Sequence, residues 1–154
     1  MKSQNEVNIA LAAADQPVMI ESAAQLEQAV NEWSQCEQIG IDTEFVRERT
    51  WRADLGLVQL SDGKTVWLVD PLKTGSLDPL SRLFNNQTIT KILHAPSEDL
   101  DVLLYTTGAV PEPLFDTQIA CAMLGQPLQM GYHTTVEWLL NVTIDKGETR
   151  SNWC

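Results

Sequence analysis

The sequence predicts an α/β fold in which helices cover both faces of a mixed β-sheet. Three strand-like segments joined by short turns lie within residues 39–69, and strand-like and helix-like segments alternate after them. Short turns join antiparallel strands, whereas strand–helix–strand units join parallel ones, so the two patterns together predict a mixed sheet. The 154 residues suit one domain. We expect residues 1–16, which lack clean periodicity, to form an N-terminal arm, and residues 17–154 to form the domain itself.

The first half of the chain contains one helix signal and several strand signals. Ser22 and Gln25 have the spacing of a capping box, and apolar residues follow at helical spacing. Alternating apolar and polar residues then predict a strand, and Asp62-Gly63 is a strong hairpin signal between the two strands after it. The predicted elements are a short strand over 18–20, a helix over 23–35, and strands over 39–46, 55–60 and 65–69.

The second half alternates helix and strand signals. Ser97 is expected to cap a helix that has leucines on one face and ends near Gly108. The predicted elements are a helix over 77–84, a strand over 89–93, a helix from 97 to 108, a short strand over 114–115, and helices over 117–124 and 133–140.

Charge and composition exclude some classes of protein. Ten Lys and Arg against 21 Asp and Glu give a net charge of −11, which argues against binding nucleic acid or anionic membrane through bulk positive charge. Phosphate binding through metal ions held by carboxylates stays open. No apolar run approaches the ~20 residues of a membrane span. Cys36, Cys121 and Cys154 lack metal-ligand spacing, so we expect reduced thiols and a cytoplasmic protein.

Three carboxylates are candidates for chemistry. Asp42 and Glu44 lie two apart on a predicted strand, so both project to the same face with Cα atoms ~6.6 Å apart. The two carboxylates of such a pair repel each other unless a cation or proton lies between them. The simpler interpretation is that both are ordinary acidic residues on a solvent-exposed strand face. Asp99 lies in the first turn of the helix from Ser97, on the same side as Leu103. It is either an acid that interacts with the helix dipole or a third member of the acidic cluster.

Five segments around and beyond these acids form a set of motifs. They are Ile41-Asp42-Thr43-Glu44-Phe45-Val46-Arg47 with Arg49, then Leu55–Leu60, Lys91–Leu100, Asp116–Gln118 and Val142–Trp153. These segments resemble the motifs of the ribonuclease D family, in the right order and at compatible spacing, and the similarity spans residues 18–154. The resemblance implies a ribonuclease H-like fold with a five-stranded sheet in the order 3-2-1-4-5, in which strand 2 is antiparallel. It also implies 3'-5' exonuclease activity that hydrolyses RNA by a two-metal mechanism.

The resemblance also assigns roles to individual residues. By their positions in the motifs, the catalytic and metal-binding residues would be Asp42, Glu44 and Asp99, and the metal would be Mg²⁺ or Mn²⁺. The partners that it implies are RNA 3' ends, in tRNA precursors or other small RNAs, and no membrane. The residues expected to contact the substrate are Thr43, Phe45, Arg47, Arg49 and His94.

The sequence departs from the family pattern at the third motif, Tyr-x-x-x-Asp. Ala109 stands four residues after Tyr105, and Val136 stands four residues after Tyr132, so neither tyrosine fits. We therefore expect weak or absent activity from this chain as given. We also expect the surface that the family's next helix would cover either to mediate self-association or to be covered by the arm of residues 1–16. An exonuclease fold that serves as a non-catalytic nucleic-acid or protein interaction module is the alternative function.

A second alternative concerns the class of exonuclease. His94 and Asp99 fit His-x-x-x-x-Asp, the third motif of a sister class in which a histidine acts as the base. The second-motif acid would then have to lie between Glu44 and His94, where each available aspartate has a turn or strand-end context. These aspartates are Asp54, Asp62, Asp70 and Asp78.

Overall fold

The computed structural model describes residues 4–46 and 53–144. Thirteen elements lie in this part of the chain. In chain order they are α1 (Gln4–Ala14), β1 (Val18–Ile20), α2 (Ala23–Trp33), β2 (Gln38–Val46), β3 (Asp54–Ser61), β4 (Val66–Val69), α3 (Pro71–Thr74), α4 (Asp78–Phe84), β5 (Thr90–Leu93), α5 (Ser97–Thr107), β6 (Leu114–Asp116), α6 (Thr117–Met123) and α7 (Tyr132–Leu140).

The sheet has six strands in the order β1-β4-β3-β2-β5-β6. The five strands from β4 to β6 reproduce the expected order 3-2-1-4-5, with β3 antiparallel to both of its neighbours. The expected number of five strands is wrong, because β1 pairs in parallel with β4 as a sixth strand. Its three residues cover an edge that would otherwise expose unpaired backbone groups.

Two local features shape the meander from β2 to β4. At the β3–β4 turn, the Asp62 carboxylate accepts hydrogen bonds from the backbone of Lys64 and Thr65, and Gly63 has a positive φ of 86°. The second feature is a register shift between β2 and β3, where Glu44 pairs with Leu57 but Phe45 pairs with Leu55. One extra residue of β3 bends the ladder beside Glu44, and bulges of this kind change the direction of nearby side chains.

The core lies between one face of the sheet and helices α2, α4 and α5. Trp33, Phe84 and Leu103 are fully buried there, and the Trp33 ring meets Trp67 edge to face at 5.5 Å. Helix α6 packs against α7 and against β6, at the other end of the sheet order. No helix in the described residues is long and apolar enough to cross a membrane.

Two local expectations differ from the structure. Ser97 is the first residue of α5 rather than its cap, and Pro96 holds the cap position without a side-chain hydrogen bond. Proline is well suited to the start of a helix because it has no N–H to satisfy. The N-terminal arm, for which the sequence shows no clean periodicity, contains the 11-residue helix α1.

Candidate active site

Strand β2 presents two carboxylates on one side and a hydroxyl on the other. Ile39, Ile41 and Thr43 are buried, whereas Asp42 is exposed and Glu44 is half-buried. This alternation follows from the two-residue period of a strand, so Asp42 and Glu44 project from the same face. The face with Asp42 and Glu44 is therefore the one on which a charged site can form.

Asp99 reaches the same end of β2 from helix α5. The Thr43 hydroxyl donates a hydrogen bond of 2.5 Å to the Asp99 Oδ1 atom. Because Thr43 points away from Asp42 and Glu44, Asp99 approaches β2 from the helix-covered side. The three carboxylates thus lie around the end of one strand rather than side by side on one face.

The negative charges of these carboxylates act on one another. The pKa of Asp42 is raised from 3.8 to about 6, mainly by loss of hydration and then by the charges of Asp99 and Glu44. Burial and the charge of Asp99 also raise the pKa of Glu44. Gln59, which pairs with Asp42 in the sheet, approaches its carboxylate at 3.4 Å, which makes a weak hydrogen bond at best. The cluster is therefore a region of poorly compensated negative charge, which favours a proton or a cation.

Oxygen ligands of this kind suit Mg²⁺ or Mn²⁺. Within residues 4–46 and 53–144, however, no three His, Cys, Asp or Glu side chains lie close enough together to hold a metal ion as arranged. The chemistry of the donors fits a divalent cation, and Asp99, bonded to Thr43 on the other side of β2, is the carboxylate that would have to turn toward it.

The other predicted site residues have different surroundings. The Thr43 side chain is buried against α5, and Phe45 packs partly buried against the hydrophobic core. In the structure, the side chains of Thr43 and Phe45 therefore contact other residues of the protein. Arg47 and Arg49 lie outside the described residues.

Both ring nitrogens of His94 are bonded to protein groups. Nε2 lies 2.9 Å from the Met130 carbonyl oxygen, which can only accept, so this nitrogen carries a proton. Nδ1 lies 2.8 Å from the Thr117 hydroxyl oxygen. In the neutral imidazole, Nδ1 accepts a hydrogen bond from this hydroxyl. His94 therefore connects the end of β5 to the start of α7, and it has no ring nitrogen free to act as a base.

Sequence reasoning missed a cavity that adjoins Asp42. It has a volume of about 470 Å³, and it is lined by residues from β2, β3, β4 and β5, by Ala14 at the end of α1, and by His94, Thr117 and Tyr132. In the sequence, Tyr132 is only a tyrosine that does not fit the third motif, yet in the structure its ring meets that of His94 edge to face at 5.7 Å. Asp42 and Tyr132 both line this cavity. No spacing in the sequence links residues 90 positions apart in this way.

Comparisons with known proteins show the family to which the chain belongs. The family described as 3'-5' exonuclease matches residues 17–154. Ribonuclease D of Pseudomonas paraeruginosa is 44% identical over 134 residues, which are 87% of this chain and 36% of that protein. The crystal structure of Escherichia coli RNase D superposes with a TM-score of 0.86 at 42% identity, over 90% of this chain and 37% of that one. Brucella melitensis NrnC bound to pGG gives a TM-score of 0.66 at 30% identity, over 78% of this chain and 59% of that one.

These matches cover most of this chain but only part of its relatives. The chain spans about a third of the length of the ribonuclease D proteins that it matches. Helix α1 precedes the matched segment, whereas Asp42, Glu44 and Asp99 lie within it. The chain belongs to the 3'-5' exonuclease family, and its curated relatives are ribonucleases D.

Proposed function

We propose that the chain supplies the acidic centre of a 3'-5' exoribonuclease domain, formed by Asp42, Glu44 and Asp99. The observation that carries this proposal is that Asp42 and Glu44 share one face of β2, while Asp99 is hydrogen-bonded to Thr43, the residue between them. Burial and then the charge of Asp99 raise the pKa of both Asp42 and Glu44, so the negative charges of the three side chains repel one another. Active sites that bind divalent metals hold mutually repelling carboxylates of this kind before the ion is bound.

The cofactor that suits these donors is Mg²⁺ or Mn²⁺, held by Asp42 and Glu44 from one face and by Asp99 from α5. When bound, such ions supply Lewis-acid stabilisation of the phosphate and an activated water. The residues of the chain position the carboxylates, since β2 sets the spacing of Asp42 and Glu44 and the first turn of α5 brings Asp99 to the same strand. The two-metal arrangement implied by the sequence is part of this proposal.

The substrate that we propose is the 3' end of RNA. The Escherichia coli relative is an exoribonuclease involved in structured RNA processing, and a solved structure of Brucella melitensis NrnC has pGG bound. We also propose the substrate contacts predicted from the sequence, at Thr43, Phe45, Arg47, Arg49 and His94. Precursor tRNAs as substrates, self-association of the chain and a cytoplasmic location stay predictions from the sequence.

The test is release of mononucleotides from 3'-labelled RNA in the presence of Mg²⁺ or Mn²⁺. The 154 residues contain no Tyr-x-x-x-Asp, so we expect little turnover from the chain itself. A version extended with a segment that supplies this motif should be active, because groups that act as one unit lose most of the catalysis when one is missing. Asp42→Ala should abolish the activity of the extended version. Full turnover by the extended Asp42→Ala variant would refute the assignment.

A non-catalytic interaction module is the second candidate function. The observation that favours it is that no three acids or histidines among the described residues close around a metal position. It predicts no Mn²⁺ binding by the chain and no hydrolysis by the extended version. Binding of Mn²⁺ that depends on Asp42 would exclude it.

A further inference from the structure

The cavity beside Asp42 combines a charged rim with an aromatic wall. Asp42 is the one Asp, Glu, Lys or Arg among its described lining residues. Ile92 and Gly40 contribute from neighbouring strands, where they are paired in register, and Tyr132 contributes from α7. An apolar recess that adjoins a phosphate-chemistry site is suited to the flat, uncharged part of a nucleotide rather than to its phosphates.

The position of Tyr132 is fixed by contacts on two sides. The residue before the Gly131 cap is Met130, whose carbonyl oxygen accepts from His94 Nε2 at 2.9 Å and from Gln118 Nε2 at 3.1 Å. These bonds attach the start of α7 to the end of β5 and to α6. The Tyr132 ring therefore projects from an anchored helix start, and little side-chain order must be gained on binding.

The Tyr132 ring is available to a ligand. The residue is 57% exposed although its helix start is anchored, and the edge contact with His94 leaves ring surface open to the cavity. Base–aromatic stacking contributes about 1–3 kcal/mol for each base, and it tolerates any base because each has a π-face. An exposed aromatic ring beside the proposed metal-binding carboxylates can therefore stack on the base of a nucleotide whose phosphate lies near those carboxylates.

We propose that Tyr132 stacks against a base at the 3' end of the RNA and so positions the scissile phosphate at Asp42. This inference rests on the proposed function, and it adds a residue that neither the sequence motifs nor their family pattern assigned. It identifies the occupant of the cavity as a nucleobase, with the adjoining phosphate toward the carboxylates. His94 supports this arrangement by holding the start of α7 in place through its bond to the Met130 carbonyl oxygen.

The chain provides its own control for this proposal, because it contains only two tyrosines. Tyr105 on α5 is 59% exposed, nearly the same as Tyr132, but it does not line the cavity. A chain labelled with ¹³C in the tyrosine rings gives signals from two residues, and Tyr105→Phe assigns them. Adenosine 5'-monophosphate is then titrated in the presence of Mg²⁺. Stacking should move the Tyr132 signals upfield and leave the Tyr105 signals in place.

Affinity measurements on variants complete the test. Tyr132→Ala should weaken nucleotide binding roughly 5- to 150-fold, the range that corresponds to 1–3 kcal/mol of stacking. Tyr132→Phe should bind nearly as well as the parent chain, because stacking needs the ring and not the hydroxyl. Unchanged Tyr132 signals at millimolar nucleotide, or equal losses in the Phe and Ala variants, would overturn the proposal.

A separate measurement distinguishes failure of this inference from failure of the proposed function. Mg²⁺ or Mn²⁺ binding is measured calorimetrically without nucleotide, in the parent chain and in Asp42→Asn. If the metal binds through Asp42 but Tyr132 does not respond to nucleotide, the stacking proposal is wrong and the metal site stands. If no metal binds, the proposed function fails and the stacking proposal fails with it.

Discussion

Replacing Asp42 with asparagine should stabilise the metal-free protein at neutral pH. The pKa of Asp42 is raised from 3.8 to about 6 in the folded state, so the folded chain binds this proton more tightly than the unfolded chain does. The stability linked to the proton is fully present below pH 3.8 and is lost as the pH rises through about 6. Above that pH the ionised Asp42 carboxylate destabilises the folded chain, and Asp42→Asn removes this destabilisation.

The size of the effect follows from the same values. At 1.36 kcal/mol per pH unit, the rise from 3.8 to about 6 sets an upper limit of about 3 kcal/mol. Asp42 is exposed, and solvent screens its repulsion from Asp99 and Glu44, so the expected gain is about 1 kcal/mol.

The assay is urea unfolding without divalent ions, at about pH 7.5 and again at about pH 4. The asparagine variant should be more stable at the higher pH, and its advantage should vanish at the lower one. Saturating Mn²⁺ should reverse the order, because only the aspartate gains from the ion. Asp101→Asn, an exposed substitution on α5, is the matched control and should change nothing. A destabilised Asp42→Asn at neutral pH would refute the electrostatic reasoning.

Three further predictions follow from the same contacts. Thr43→Val keeps the shape of the buried side chain but removes its hydrogen bond to Asp99, so urea unfolding should show a loss of about 1.5–3 kcal/mol; an unchanged midpoint would show that the bond contributes nothing. Lys91→Met should lower stability by about 1–3 kcal/mol, because the buried ammonium donates to the Asn86 and Glu112 carbonyls, whereas Lys73→Met at the surface should have little effect. Gly108→Ala should cost about 1 kcal/mol in thermal unfolding, because Gly108 ends α5 with a φ of 73°, and equal stability would argue against that cap geometry.

Most of the fold could be predicted because short-range patterns determine it. The alternation in β2, the Asp62-Gly63 turn and the capping box at Ser22 each appear in the structure close to their expected residues. The sixth strand depends on long-range pairing, because residues 18–20 join the sheet by pairing with the edge of β4. No local pattern states which edge a short strand will cover.

The candidate site was predictable in composition but not in arrangement. Spacing on one strand puts Asp42 and Glu44 on one face, which is what the structure has. Spacing does not reveal that Thr43 binds Asp99 from the other side of β2, because that contact joins residues 56 positions apart. Lys91 illustrates a similar limit. Its residue type and position in the sequence do not reveal that it is fully buried, nor that burial lowers its pKa to about 8.

The central claim is that Asp42, Glu44 and Asp99 together bind a divalent metal ion. The most direct test is calorimetric titration of the 154-residue chain with Mn²⁺, compared with Asp99→Asn and Asp101→Asn. Asp99 and Asp101 lie on the same helix, but only the charge of Asp99 acts on Asp42 and Glu44. We predict that the parent chain and Asp101→Asn bind Mn²⁺ equally well and that Asp99→Asn binds it more weakly. Equal affinities for all three proteins, or no binding by the parent chain, would contradict the claim.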